Sequence, residues 1–302
     1  MLRAAGQSPT PPLTAGSFLL NVVYSIDIRG RMLPIDGFQT DCTPTDAANP
    51  NKACSGGVAR RYGFVQQQRA AHPNTIVMDV GNMYYGSSFM NIANPAGSNI
   101  AKWISQTTPA PYYDVIGLGS NDFFNGPTTL AGVLRSLQPS VQVVGTNLIV
   151  GPEPLLSDVT IRPYSVHQLP GGRKVGVLSV IMAQLLSSAS AGQVEVSPST
   201  VKAVNDSMSQ IKAVHPDCNI IVLMSNLRTH AENEAIVAAV PDIDVVIYRS
   251  MTNDEQAVFT TTSASGSTVV WATMPNTGGA SAFGGSMGSL QIDFDDDGKV
   301  QS

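Results

Sequence analysis

Charge is scarce in this chain of 302 residues: Asp, Glu, Lys and Arg make up 13% of it, against about a quarter in an ordinary soluble domain. A surface so short of charge relies on Ser, Thr, Asn, Gln and Gly, a balance common in secreted proteins. The net charge of −5 leaves no basic field to draw in nucleic acid or an anionic membrane, so no nucleic-acid partner is expected. Long apolar runs are absent too. None reaches the roughly 18 residues that a membrane-spanning helix needs, so no transmembrane segment is expected. The opening "MLRAAGQSPTPPLTAGSFLL" carries an early Arg, but Pro, Gly, Ser and Thr interrupt the place of a signal peptide's apolar stretch. Residues 1–17 therefore read as a flexible tail and 18–302 as one domain with ample core.

Cysteine and histidine are sparse, at three and four. Cys42 and Cys54 lie in "DCTPTDAANPNKACSGG", a loop without core-forming residues. They read either as two exposed thiols or as a disulfide. A coreless loop gains stability by closing on itself, which favours the disulfide and an oxidising compartment. Cys218 opens the apolar run "CNIIVLMSN" and reads as a buried free thiol. Asn205-Asp206-Ser207 fits the glycosylation triplet, a pattern that also arises by chance.

Short apolar runs alternate with helical stretches, which argues for an α/β fold. The first strand spans 18–26, and "GGVARRYGFVQQQRAA" reads as a helix with Val58, Tyr62, Val65 and Arg69 on one side. Strands "NTIVMDVGN" and "YYDVIGLGSNDFFNG" run out into Gly turns, with a short helix "SNIAKWISQ" between them, broken off by Pro109 and Pro111. A helix around 127–137 and a short strand near 141–148 follow. Two alternating segments flank Pro170-Gly171-Gly172, a β-hairpin signature. Helix 199–214 starts behind Ser and Thr caps, then come strand 218–226, helix 231–239 and strand "DIDVVIYRS". The remainder, from "EQAVFTTTSASGSTVVWATM" to "GSLQIDFDDDGKV", reads as antiparallel strands.

Five strands end in short polar loops: "DIRG", "DVGN", "GSND", "SNLR" and "YRSMTND". In open α/β sheets ligands bind at the carboxyl ends of strands, so these loops are the candidate site. In that order they resemble the five metal-binding motifs of the metallophosphoesterases, the calcineurin-like phosphoesterases. The closer resemblance is to the N-terminal catalytic domain of the 5′-nucleotidase family, the secreted ecto-5′-nucleotidases above all. "CSGGVARRYGFVQQQRAAHPNTIVMDVGN", "PDIDVVI" and "SAFGGSMGSLQIDFDDDGKV" extend the resemblance over 19–302. It implies a four-layer α/β/β/α sandwich of the metallo-dependent phosphatase type. The family's second domain, whose aromatic residues stack on the base, is expected to be absent.

Active members of that family hold two divalent metal ions, which activate water and hold the leaving oxygen. Mapped onto this chain, the ligand positions are Asp27, Arg29, Asn82, Ser120, Asn226, Ser250 and Thr252. Of the seven, only Asp27 keeps the family's residue. Asn121 stands for the catalytic His and Phe124 for the Asp that orients it. His72, His167, His215 and His230 all lie outside the motifs, and His230 reads as a solvent-facing residue at a helix start. Neutral Asn, Ser and Thr bind transition metals weakly, and a fixed guanidinium at Arg29 repels a cation. Arg29 thus reads as the counter-charge of Asp27 in place of metal, and neither catalytic residue nor metal cofactor is expected.

The role this implies is a pseudoenzyme, a structural or protein-interaction module in a secreted or cell-surface setting, with other protein subunits as partners. The alternative is a metal-free phosphate- or nucleotide-binding module using Arg29 and Arg249, although these arginines read more simply as pairing with Asp27 and Asp122. A residual phosphoesterase would need a base beside Ser120, Ser225 or Ser250, and no His is placed to serve. "DFDDDG" lacks the bidentate Glu of a calcium loop and reads as a solvated turn, and "GGRK" as a hairpin turn. The Met and aromatic residues of "GNMYYGSSFMN" read as packing against the sheet.

Overall fold

Alternation along the first strand builds the layers. In β1 (Phe18–Ser25), Leu20, Val22 and Tyr24 enter one apolar cluster, while Val23 enters another on the opposite face. Successive strand residues point to opposite sides, so a strand apolar on both must be covered on both. The computed structural model describes residues 17–36, 40–43, 45–46, 49, 54–86, 112–183, 190–227, 229–249, 258–274 and 287–301. The helix expected at "SNIAKWISQ", nearly all of the N-terminal tail, and Ser250 and Thr252 lie outside them.

One sheet has the order β13-β1-β2-β3-β4, with β2 at Thr75–Asp79, β3 at Val115–Gly117, β4 at Gln142–Val144 and β13 at Gly288–Phe294. Strands β1 to β4 run parallel, and β13 is antiparallel to β1. A two-stranded ribbon pairs β5 (Leu148–Ile149) with β8 (Glu195–Val196). The second sheet has the order β11-β12-β10-β9-β7-β6. Its strands are β6 (Ser165–Gln168), β7 (Lys174–Ile181), β9 (Ile220–Asn226), β10 (Val245–Tyr248), β11 (Val258–Thr262) and β12 (Thr268–Thr273). Here β7, β9, β10 and β12 are parallel, with β6 and β11 antiparallel at the edges.

The inner faces of the two sheets meet in one core, with Val22, Met78 and Val115 from the first and Val177, Val222 and Ile247 from the second. Outside the first sheet lie α1 (Val58–Ala71) and α2 (Gly126–Arg135); Val65, Leu130 and Leu134 pack there with Val77 and Ile116. Outside the second lie α3 (Thr200–Val214) and α4 (His230–Ala239), which contribute Val204, Ile211 and Ile236. The result is the expected α/β/β/α sandwich. Ser199 caps α3 by accepting from the Lys202 N–H, and Thr229 with Glu232 forms a capping box on α4.

The β6–β7 hairpin forms around Pro170-Gly171-Gly172, with Gly172 supplying a φ of +85°. Cys42 and Cys54 are joined in a disulfide, and Cys218 is a buried free thiol whose pKa burial pushes up to about 11. The C-terminal strands depart from a simple antiparallel set. β12 pairs with β11 as a hairpin yet runs parallel to β10, and β13 crosses to the other sheet to cover the edge of β1. The "DFDDDG" segment is a turn in which Asp295 accepts the N–H groups of Asp297 and Lys299.

Asp244, just before β10, is buried and accepts the Ile221 N–H at 2.8 Å. Burial raises its pKa to about 7. A folded-state pKa above the unfolded one means that the native state holds the proton longer. Its stabilising contribution is full below about pH 4 and is lost as pH rises through 7. The Asp244 contribution is therefore expected to fall by up to roughly 1.4 kcal/mol per pH unit across that window. Urea titrations from pH 4 to 8 check this: Asp244→Asn should flatten the slope, and an unchanged slope would remove Asp244 as its source.

Candidate functional site

Strands β1, β2 and β3 run in one direction, so the chain leaves all three at one end of the sheet. The first two loops continue the ladder beyond the strands. Asp27, Arg29 and Gly30 donate backbone N–H groups to the carbonyls of Gly81, Asn82 and Met83 at 3.1, 2.8 and 2.7 Å. The third loop is tied in through Asp122, whose carboxylate accepts the N–H groups of Asn82, Tyr84 and Gly119 at 2.8 to 2.9 Å. Asn82 Oδ1 accepts the Asn121 N–H at 2.9 Å. Burial pushes the Asp122 pKa up to about 6, although these amide donors favour its ionised form.

Asp27, Arg29 and Asn82 have φ values of 58°, 50° and 60°, and they are the non-glycine residues with positive φ among the described residues. Asn and Asp visit this left-handed region more readily than other side chains; Arg does so rarely. The ladder over-determines the conformation and holds the strain in place.

The second sheet brings two residues to the same place. Asn226 ends β9, and its Oδ1 accepts from Asn82 Nδ2 at 3.2 Å. Arg249 follows β10, and its Nη2 lies 3.2 Å from Asp27 Oδ2. Arg29 Nε approaches the other oxygen of Asp27 at 3.0 Å. The Asp27 side chain is 5% exposed, that of Arg249 11% and that of Arg29 28%. One carboxylate thus sits between two guanidiniums, one from each sheet. The expected pairing of one arginine with Asp122 does not occur, because that carboxylate is filled by backbone donors.

Asp27, Arg29, Asn82, Asn121, Asn226 and Arg249 therefore converge in space. Ser120 is buried in the short 3-10 turn Ser120–Phe123. Phe124 lies at the rim, nearly half exposed, and stacks on Tyr85 with ring centroids 4.1 Å apart. Met83 and Tyr84 pack in the core of the first sheet's outer face, as expected of "GNMYYGSSFMN"; residues 87–91 lie outside the described residues.

Two features escaped sequence reading. Beneath the site, Asp79 accepts from Ser25 Oγ at 2.5 Å and from the Gly81 N–H at 2.8 Å, with Tyr113 on the same hydroxyl at 2.9 Å. Burial raises the Asp79 pKa well above the usual carboxylate range. The only available signal was two acids in strand-end loops, which says nothing of what they grip. Second, His230 is half-buried rather than fully solvent-facing, its side chain 27% exposed. It packs edge-on against Trp271 and Phe259, with centroids at 4.5 and 5.1 Å, and Nε2 lies 3.2 Å from Glu234. The first turn of α4 lies over the aromatic outer face of the second sheet, which periodicity alone does not reveal.

Two mixed sheets between helices, with the polar loops of both meeting at one end, define a metallophosphoesterase-type fold. Over 94% of its length the chain superposes on 53% of a 5′-nucleotidase precursor from Thermus thermophilus, with a TM-score of 0.75 and 19% sequence identity. It is 30% identical over 166 residues to the snake venom 5′-nucleotidase of Naja atra, covering 54% of this chain and 28% of the venom protein. It is 25% identical over 300 residues to the apyrase of Anopheles gambiae, covering 94% of this chain and 50% of the apyrase. No protein-family model matches the chain. The chain is a homologue of the 5′-nucleotidases and apyrases, corresponding to their N-terminal metallophosphoesterase domain. It spans half or less of the length of these two relatives.

Proposed function

We propose that this chain is a catalytically silent 5′-nucleotidase-type domain that works as a structural or protein-interaction module outside the cell or at its surface. One observation carries the reading: the Asp27 carboxylate is bracketed by Arg29 at 3.0 Å and Arg249 at 3.2 Å. Two divalent cations placed at this carboxylate would meet two fixed positive charges. Among the described residues, the amide oxygens of Asn82 and Asn226 are weak donors and already engaged. Asn226 Oδ1 accepts from Asn82, and Asn82 Oδ1 accepts from Asn121. The described residues do not fit a two-metal centre, so no hydrolytic step is derived through one. The alternative, a metal-free phosphate or nucleotide site, is disfavoured by the same pair of contacts, since both guanidiniums face Asp27. The Cys42–Cys54 disulfide supports an oxidising setting.

Elemental analysis of the purified chain, with phosphatase assays on AMP and ADP over Mg²⁺, Mn²⁺, Co²⁺ and Zn²⁺, tests the proposal. Substoichiometric metal and no turnover above the blank are expected. Two tightly held transition metals per chain would sink it. Calorimetry with AMP and with inorganic phosphate at low salt should give no heat, and a saturable isotherm would favour the alternative.

A further inference from the structure

Several asparagines of this fold are buried and spend their amides on structure. Asn21, Asn82, Asn147 and Asn233 are each 1% exposed or less, and each donates its side-chain N–H to a group inside the molecule. Asn205 is the opposite case: it stands on α3 and is exposed. It is also the one Asn of the chain followed, two residues on, by Ser or Thr with a residue other than Pro between. That is the triplet an N-glycosylating transferase reads.

The helix decides which way each member of the triplet faces. Val204, Met208 and Ile211 form the apolar stripe of α3 and pack into the core, and Asn205 falls on the solvent side beside that stripe. Its exposed neighbours Lys202 and Asp206 pair with each other, and its carbonyl accepts from Ser209 Oγ at 2.9 Å. Among the described residues, the Asn205 amide itself takes part in no hydrogen bond. A bulky group on that nitrogen therefore breaks no contact of the described fold. Ser207 is only 3% exposed. A transferase that must grip this hydroxyl and an extended backbone can do so only before α3 has wound and packed.

We infer that Asn205 is the acceptor of an N-linked glycan, attached before α3 folds. The amide nitrogen bonds to the anomeric carbon of a lipid-diphosphate-linked oligosaccharide. The bond from that carbon to the diphosphate oxygen breaks, the lipid diphosphate leaves, and the nitrogen gives up one proton to the transferase. The inference rests on the extracellular half of the proposed function and not on the silence of the site; the Cys42–Cys54 disulfide fits the same oxidising route. A glycan is bulky and solubilising, so this one holds the outer face of α3 in water and leaves protein contacts to other faces.

Secretion of the full chain from a eukaryotic cell line behind a cleavable leader tests it, followed by peptide-N-glycosidase in heavy-oxygen water and peptide mapping. The enzyme is expected to lower the apparent mass of the chain and to leave a heavy-oxygen Asp in place of Asn205. Asn205→Gln, at an exposed position, should abolish that shift. Ser207→Thr, which keeps the hydroxyl, should retain it. Chain already folded before it meets the transferase should stay unmodified, and its modification would overturn the order of events. An unmodified Asn205 in secreted chain whose Cys42–Cys54 disulfide is closed would overturn the site and leave the oxidising setting standing. Metal-dependent phosphatase activity in a glycosylated chain would sink the silent-domain reading and leave the glycan standing.

Discussion

Replacing Asp27 by alanine is expected to lower stability by about 3 kcal/mol or more, the range for removing one partner of a buried ion cluster. The substitution leaves Arg29 and Arg249 facing each other with their shared counter-charge gone. Arg249, at 11% exposure, cannot recover full hydration. The single variants Arg29→Ala and Arg249→Ala should each cost less, because Asp27 keeps one cation at 3.0 or 3.2 Å. Urea denaturation of the three variants checks the order. A loss below about 1 kcal/mol in Asp27→Ala would mean that the carboxylate is not the counter-charge that holds the loops together. The consequence bears on the proposed silent role: the effect of this carboxylate would be on folding.

Gly81→Ala is expected to be comparably damaging, at about 3 kcal/mol, for two independent reasons. Gly81 has a φ of +114°, which L side chains rarely adopt. A Cβ there would also lie 2.5 Å from the Gly119 nitrogen and 2.7 Å from the Leu118 carbonyl carbon, backbone atoms that cannot rotate away. The second and third loops would be forced apart, straining the hydrogen bonds from Asn82, Tyr84 and Gly119 to Asp122. Thermal and urea unfolding measure the loss. A near-neutral variant would show that the loops are free to separate, and would weaken the case for a rigid, metal-excluding site.

The strand-end loops, their order and the hairpin at Pro170-Gly171-Gly172 were legible because they are local. Turn residues, period-two alternation and helix caps act over a few positions, and the sequence carries them in the open. The layer arrangement was legible through the resemblance, which the superposition and the sequence relatives bear out.

What the sequence alone determined is therefore most of the described elements, the class of fold and which loops meet. It did not determine which charge meets which. Judged by spacing, Arg249 could have reached either Asp27 or Asp122. Three backbone amides from two loops fill Asp122, and that leaves Asp27 as the carboxylate both arginines approach. Nor did it reveal that His230 packs edge-on against Trp271, or that β13 returns to pair with β1. Each of these is a contest among partners far apart in the chain. Such contests are decided by the relative position of two packed sheets, which no local pattern of residues encodes.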